Sequence, residues 1–171
     1  MDLERRVAEL ERRMAALEGA SPATTGGAEG DFWALEGLKQ QLAQAGEAAV
    51  DGGVLFTGAV RLPAGERYEW QYGVCTADLL DEEAGDRSQA AESLAALGSA
   101  VRLRLLREIL GGRRTAAELA ELEGLGTTGQ IYHHLRQLTG AGWLHTTGRG
   151  RYEVPGARVV PLLVVLTAAC P

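Results

Sequence analysis

Cysteine is scarce in this sequence: Cys75 and Cys170 are its only two, far apart along the chain. That excludes a disulfide framework and the paired-thiol spacing of a zinc site. A reducing compartment, the cytoplasm, is the simple expectation, with no metal and no cofactor. Nothing basic adjoins Cys75 in sequence to activate its thiol, and Cys170 lies at the chain end, so both read as structural or idle. Lysine is scarcer still, with Lys39 alone, so nearly every positive charge is an arginine. Long apolar runs are also missing. The longest, 159–170, is interrupted by Pro161 and is too short to span a bilayer, so no membrane partner is expected. The first residues are charged from Asp2 onward and do not read as a signal peptide. Catalytic constellations are lacking too. The carboxylates of 78–86 form an acidic run without a histidine, cysteine or glycine-loop context, and a solvated loop or helix end explains them. An enzyme is not expected.

What the sequence does have is an uneven distribution of charge. The whole chain of 171 residues carries a net charge of -6. Residues 1–93 hold eight Lys/Arg against eighteen Asp/Glu, whereas 94–171 hold nine arginines against five acidic residues. The three histidines, His133, His134 and His145, also fall in the second half. A field that attracts phosphate is therefore local to the C-terminal part.

Periodicity divides the chain into four parts. In residues 1–19, Leu3, Val7, Leu10, Met14 and Leu17 are spaced four and three apart, a heptad seam with charged flanks. A lone helix of this length is marginal in water, so the seam needs a partner. Self-pairing into a coiled-coil dimer and packing onto its own chain both remain open. Residues 20–30 have linker composition. Residues 31–86 read as a helix plus a β-hairpin. Asp31 is placed as N-cap of a helix to about Gln44, with Phe32, Leu35, Leu38 and Leu42 as its apolar face. Strands are expected at 54–62 and 67–74, around a turn at 63–66. Tyr68, Trp70 and Tyr72 fall on one face of that hairpin and need a cover. With Trp33 they form a candidate pocket for a small-molecule effector, core packing being the alternative.

Residues 87–171 return to helical spacing. Leu94, Leu97, Val101, Leu105 and Ile109 mark one or two helices up to Gly111. Thr115 with Glu118 three residues on is a capping-box pattern for a short helix. A glycine turn, 124–126, leads to a helix capped by Thr127 or Thr128, with Ile131, Leu135 and Leu138 inward. A second hairpin comes next, with Arg149 and Arg151 at its tip. A short helix, a tight turn, a longer helix and a basic hairpin make up the winged helix-turn-helix arrangement. Its second helix enters a major groove of double-stranded DNA. Thr127, Thr128, Gln130, Tyr132 and His133 are the residues placed to reach it. Threonine hydroxyls suit phosphates or a thymine methyl, Gln130 suits adenine in a bidentate pair, and Arg136 suits a phosphate or guanine. Arg149 and Arg151 suit a minor groove or the adjoining backbone. His133 and His134, as neighbours on a helix, point about 100° apart and cannot chelate one ion.

The stretch 97–154 resembles the ArsR/SmtB family of winged-helix repressors. Leu-Gly-Ser-Ala-Val-Arg-Leu-Arg-Leu-Leu-Arg-Glu-Ile-Leu (97–110) is similar to the family's first core helix, including Arg102. Thr-Ala-Ala-Glu-Leu-Ala (115–120) resembles the helix before its turn. Ile-Tyr-His-His-Leu-Arg-Gln-Leu (131–138) resembles its recognition helix, and 141–144 with 148–152 resemble its lead-in and wing. Ala100 replaces a common proline and Tyr132 a usual serine. The family's metal-binding cysteines and Asp/His pairs are missing from 115–123 and 157–169. The resemblance implies DNA binding and dimerisation without metal sensing.

The expectation is thus a mainly α protein with small β-hairpins (α+β): a homodimeric, sequence-specific transcription regulator on a near-palindromic operator. Val160, Leu163 and Val164 of the terminal apolar helix are placed at the dimer contact, together with the N-terminal seam. The rival is a protein–protein adaptor that uses the same scaffold without DNA.

Overall fold

The computed structural model describes residues 32–81, 87–148 and 150–170. Helix α1 (Trp33–Ala45) has no buried residue, and Phe32 and Leu35 of its expected apolar face are exposed. Asp31 and the heptad residues Leu3, Val7, Leu10, Met14 and Leu17 lie outside the described residues. The chain divides into two units, Met1–Trp33 and Ala34–Pro171, and every element from the first strand onward belongs to the second.

A short 3-10 turn (Gly46–Ala49) leads to an antiparallel hairpin of β1 (Gly53–Arg61) and β2 (Arg67–Cys75). The register pairs Val60 with Tyr68, Gly58 with Trp70 and Phe56 with Tyr72, so these six share one face. Its turn is closed by Gly65 N–H to Leu62 O at 2.9 Å. Helix α2 (Thr76–Leu80) comes next, then α3 (Arg87–Leu97) and α4 (Ala100–Leu110), separated by Gly98 and Ser99. Helix α5 (Ala116–Ala120) and helix α6 (Thr128–Gly140) flank the glycine turn. Strands β3 (His145–Thr146) and β4 (Tyr152–Glu153) pair antiparallel, and α7 (Gly156–Ala168) closes the unit. The described chain is therefore mainly α with small antiparallel hairpins. Among the described residues, no helix is long and apolar enough to cross a membrane.

One core holds these elements together. Leu105, Leu106 and Ile109 of α4 meet Leu119 of α5, then Ile131, Leu135 and Leu138 of α6, then Val159 and Leu162 of α7. Each such side chain contributes about 1.5–3 kcal/mol on burial, so the three from α6 fix its roll about its axis. Leu94 departs from the expected pattern: it is 58% exposed. The break at Gly98 and Ser99 ends the α4 period before it, so the spacing Leu94, Leu97, Val101 does not continue one face.

Helix α7 covers the Tyr68 end of the aromatic face of the β1–β2 hairpin and leaves Tyr72 exposed. Val160 lies beneath Gly58, where an added Cβ would sit 2.7 Å from Val160 Cγ1. Glycine at 58 is therefore what lets helix and sheet approach. Tyr68 packs against Gly156. At the opposite edge, Arg114 pairs with Glu66 in the hairpin turn and, at 2.8 Å, with Glu153 of β4. The Glu66 hydrogen bond holds the Arg114 guanidinium above its ordinary value, and Arg114 in turn holds the Glu66 carboxyl below the usual range.

Candidate nucleic-acid interface

Two capping boxes set the start of α5 and of α6. Thr115 Oγ1 accepts from the Glu118 N–H at 3.2 Å, and Glu118 Oε2 accepts from the Thr115 N–H at 2.8 Å. The Thr115 hydroxyl and the backbone N–H groups of Thr115 and Arg114 hold the Glu118 carboxyl below its ordinary range. At α6, Thr127 is the cap. Its Oγ1 accepts from the Gln130 N–H at 3.4 Å, and its own N–H donates to Gln130 Oε1 at 2.8 Å. Gly126 (φ 90°) makes room for this, since a Cβ there would meet Gln130 Oε1 at 2.4 Å.

The box gives Gln130 a second role. One lone pair of its carboxamide oxygen accepts from the Thr127 N–H, which leaves the other lone pair and the amide nitrogen of this exposed side chain. Thr128, Tyr132, His133 and Arg136 lie exposed along the same helix, Tyr132 at 47%. Ile131, Leu135 and Leu138 are fully buried on the opposite face, as their spacing predicts. His134 is half-buried, and its Nδ1 is enclosed without a hydrogen-bond partner. The His133 and His134 rings are 5.7 Å apart, edge to face.

Beyond α6 the chain turns into the β3–β4 hairpin. Arg151 N–H donates to Gly148 O at 3.1 Å, and Tyr152 N–H donates to Arg114 O at 2.7 Å. Thr115 forms an antiparallel bridge with Arg151, so the start of α5 serves as a third short strand beside β4. The small ribbon is thereby fastened to the helix pair that precedes it. The Arg151 side chain is exposed, and Arg149 lies outside the described residues.

Two arginines not assigned to the surface stabilise the arrangement. Arg102 Nη1 donates to Gln137 Oε1 of α6 at 2.8 Å, while its Nη2 and Nε donate to the carbonyls of Ala95 and Ala96. A guanidinium at the carbonyl end of α3 satisfies groups the helix leaves open. Arg104 donates to Glu123 O at 2.7 Å, holding the segment before the glycine turn.

Neither a family model nor a curated protein matches this chain. The ArsR/SmtB resemblance therefore rests on the sequence motifs of 97–154 alone.

The remaining expected site residues are dispersed. Of the aromatic set, Trp70 and Tyr72 line a common cleft. Tyr68 packs into the core instead, and Trp33 opens α1, exposed. Val160, expected at a dimer contact, is only 2% exposed because its own hairpin covers it. Leu163 and Val164 of the same helix remain half-buried. The cleft also contains residues that the sequence did not assign to a site: Phe56, Trp143 and Arg158, with Leu94, which was expected to mark a helical period. A signal for Arg158 existed, since it is the sole charge in the apolar segment 157–169.

Proposed function

We propose that this chain is a sequence-specific, DNA-binding regulator of transcription that acts as a homodimer. Residues 100–153 serve as a winged helix-turn-helix, with α6 as recognition helix and the β3–β4 ribbon as wing. The observation that carries this reading is the two-sidedness of α6. One face is locked by three buried side chains, while the other presents Thr128, Tyr132, His133 and Arg136 to solvent, and Arg151 on the ribbon that follows is exposed as well. A rigid helix with an exposed polar face beside a basic ribbon has the form needed to enter a major groove while the ribbon tracks the backbone. The local excess of arginine supports the same reading. Control is by occupancy: the bound dimer blocks or recruits polymerase. Two recognition helices would then meet successive major grooves, about 34–36 Å apart.

Selection of bound sequences from a random duplex pool tests this directly. The expected result is an enriched near-palindrome with half-sites one helical turn apart. Retention of no duplex at low salt by the folded protein removes the regulator reading and leaves the protein-adaptor alternative.

A further inference from the structure

A cleft of about 720 Å³ opens between the free end of the β1–β2 hairpin, helix α3 and helix α7. That volume lies within the range of small-molecule sites. Its walls are Phe56, Trp70, Tyr72 and Leu94, and its floor is Trp143. Tyr72 and Leu94 are more than half exposed, so the cleft is apolar surface left open to water. Among the described residues, Arg158 is the one arginine or lysine in the lining. Its guanidinium lies 4.7 Å from the centre of the Trp143 ring and 3.5 Å from Ser93 Oγ. Among the described residues no carboxylate pairs with it or lines the cleft. The other buried-side arginines of this unit are engaged: Arg114 with two glutamates, and Arg102 with Gln137 and carbonyls.

We infer that this cleft binds a small organic acid with an aromatic or alkyl body, its carboxylate on Arg158. A planar fork of donors matches a carboxylate in a bidentate pair, and in apolar surroundings such a pair is stronger than in water. The aromatic walls favour a flat or extended apolar body. Among the described residues no acidic side chain lines the cleft to favour a cation. The same cleft adjoins the recognition helix. Trp143 stands three residues beyond the end of α6, and its Nε1 donates to Ser93 O at 2.9 Å. Any effect of occupancy on DNA affinity rests on the regulator reading; binding itself does not.

The test therefore omits DNA. 2-Naphthoate and its uncharged analogue 2-naphthamide are titrated into the full chain by calorimetry, with tryptophan fluorescence as a second readout. The expected result is saturable, one-to-one binding of the acid, roughly tenfold or more tighter than the amide. Arg158→Gln should remove that preference. Should that variant fail to fold, Leu94→Glu, at an exposed position, is expected to weaken the acid at least tenfold and to leave the melting temperature nearly unchanged. Equal affinity for acid and amide overturns the assignment. So does absence of binding at millimolar acid, or sedimentation showing a dimer that Leu94→Glu alone dissociates, since the cleft would then seat a second copy.

Discussion

Replacing Gly58 by alanine isolates the contact that joins the larger hairpin to the terminal helix. The new Cβ would lie 2.7 Å from Val160 Cγ1 and 3.5 Å from Cγ2. Val160 is β-branched, buried and helical, so its rotamer cannot turn away freely. Overpacking of this kind costs about 1–3 kcal/mol. Alanine is better than glycine within a strand by about 0.5–1 kcal/mol, which offsets part of that. The net expectation is a loss of up to about 2.5 kcal/mol, each kcal/mol lowering the melting temperature by about 2–4 °C. Val160→Ala alone removes two buried methyl groups and costs about 1.6 kcal/mol plus a cavity term. In that background Gly58→Ala should change sign and stabilise by about 0.5–1 kcal/mol, because the obstacle is gone. Urea unfolding monitored by circular dichroism gives all four values, and repeating it at two protein concentrations separates burial within one chain from burial between copies. An equal effect of Gly58→Ala in both backgrounds would refute the packing described, and a coupling that grows with protein concentration would place Val160 between subunits.

Three further expectations concern the interface and the ion pairs. Arg136→Ala and Arg151→Ala should weaken binding to specific and random duplex alike, each lowering the salt slope by about one, whereas Tyr132→Ala or His133→Ala should weaken the selected sequence alone; competition binding at two salt concentrations distinguishes them. Gln130→Ala removes half of the α6 capping box and should cost about 0.5–2 kcal/mol of stability, while Gln130→Glu restores the acceptor; unfolding of both variants without DNA checks this, and a neutral Gln130→Ala would free that side chain for base contact. Glu66 titrates below its ordinary value because Arg114 pairs with it. The depressed value means that this pair contributes stability above the unfolded glutamate range, about 4.3, and that the contribution is lost as pH falls through the lower folded value. Arg114→Met should flatten the acid limb of a stability profile, and an unchanged limb would show that the pair carries none of it.

Features set by near neighbours in sequence were legible in advance. The Thr115–Glu118 box, the inward set Ile131, Leu135 and Leu138, and the two-stranded 53–75 hairpin each arise from spacing within a few residues. What depended on distant partners was not. Leu94 fits a helical period with Leu97, yet Leu97 is in the core and Leu94 is exposed, and nothing local says where along that helix the core ends. Tyr68 and Tyr72 stand on one face of one strand, but α7 covers only the end of the hairpin that holds Tyr68. Gln130 offers the same atoms to a base edge and to the Thr127 N–H, and its spacing alone does not say that the cap engages one of them. Val160 is apolar on an apolar helix, and only the position of Gly58 decides that its cover comes from the same chain.

Arg114 belongs by position to the loop before α5, but its side chain grips both the turn of the first hairpin, at Glu66, and a strand of the second, at Glu153. The two ribbons thus share a single hinge pin. Excising the first hairpin would leave Arg114 half-matched and strip the cover from α7, so residues 87–171 do not constitute a portable cassette that could be grafted elsewhere intact. By the same linkage, tension applied at the second ribbon is felt at the first, although 48 positions of sequence separate Glu66 from Arg114.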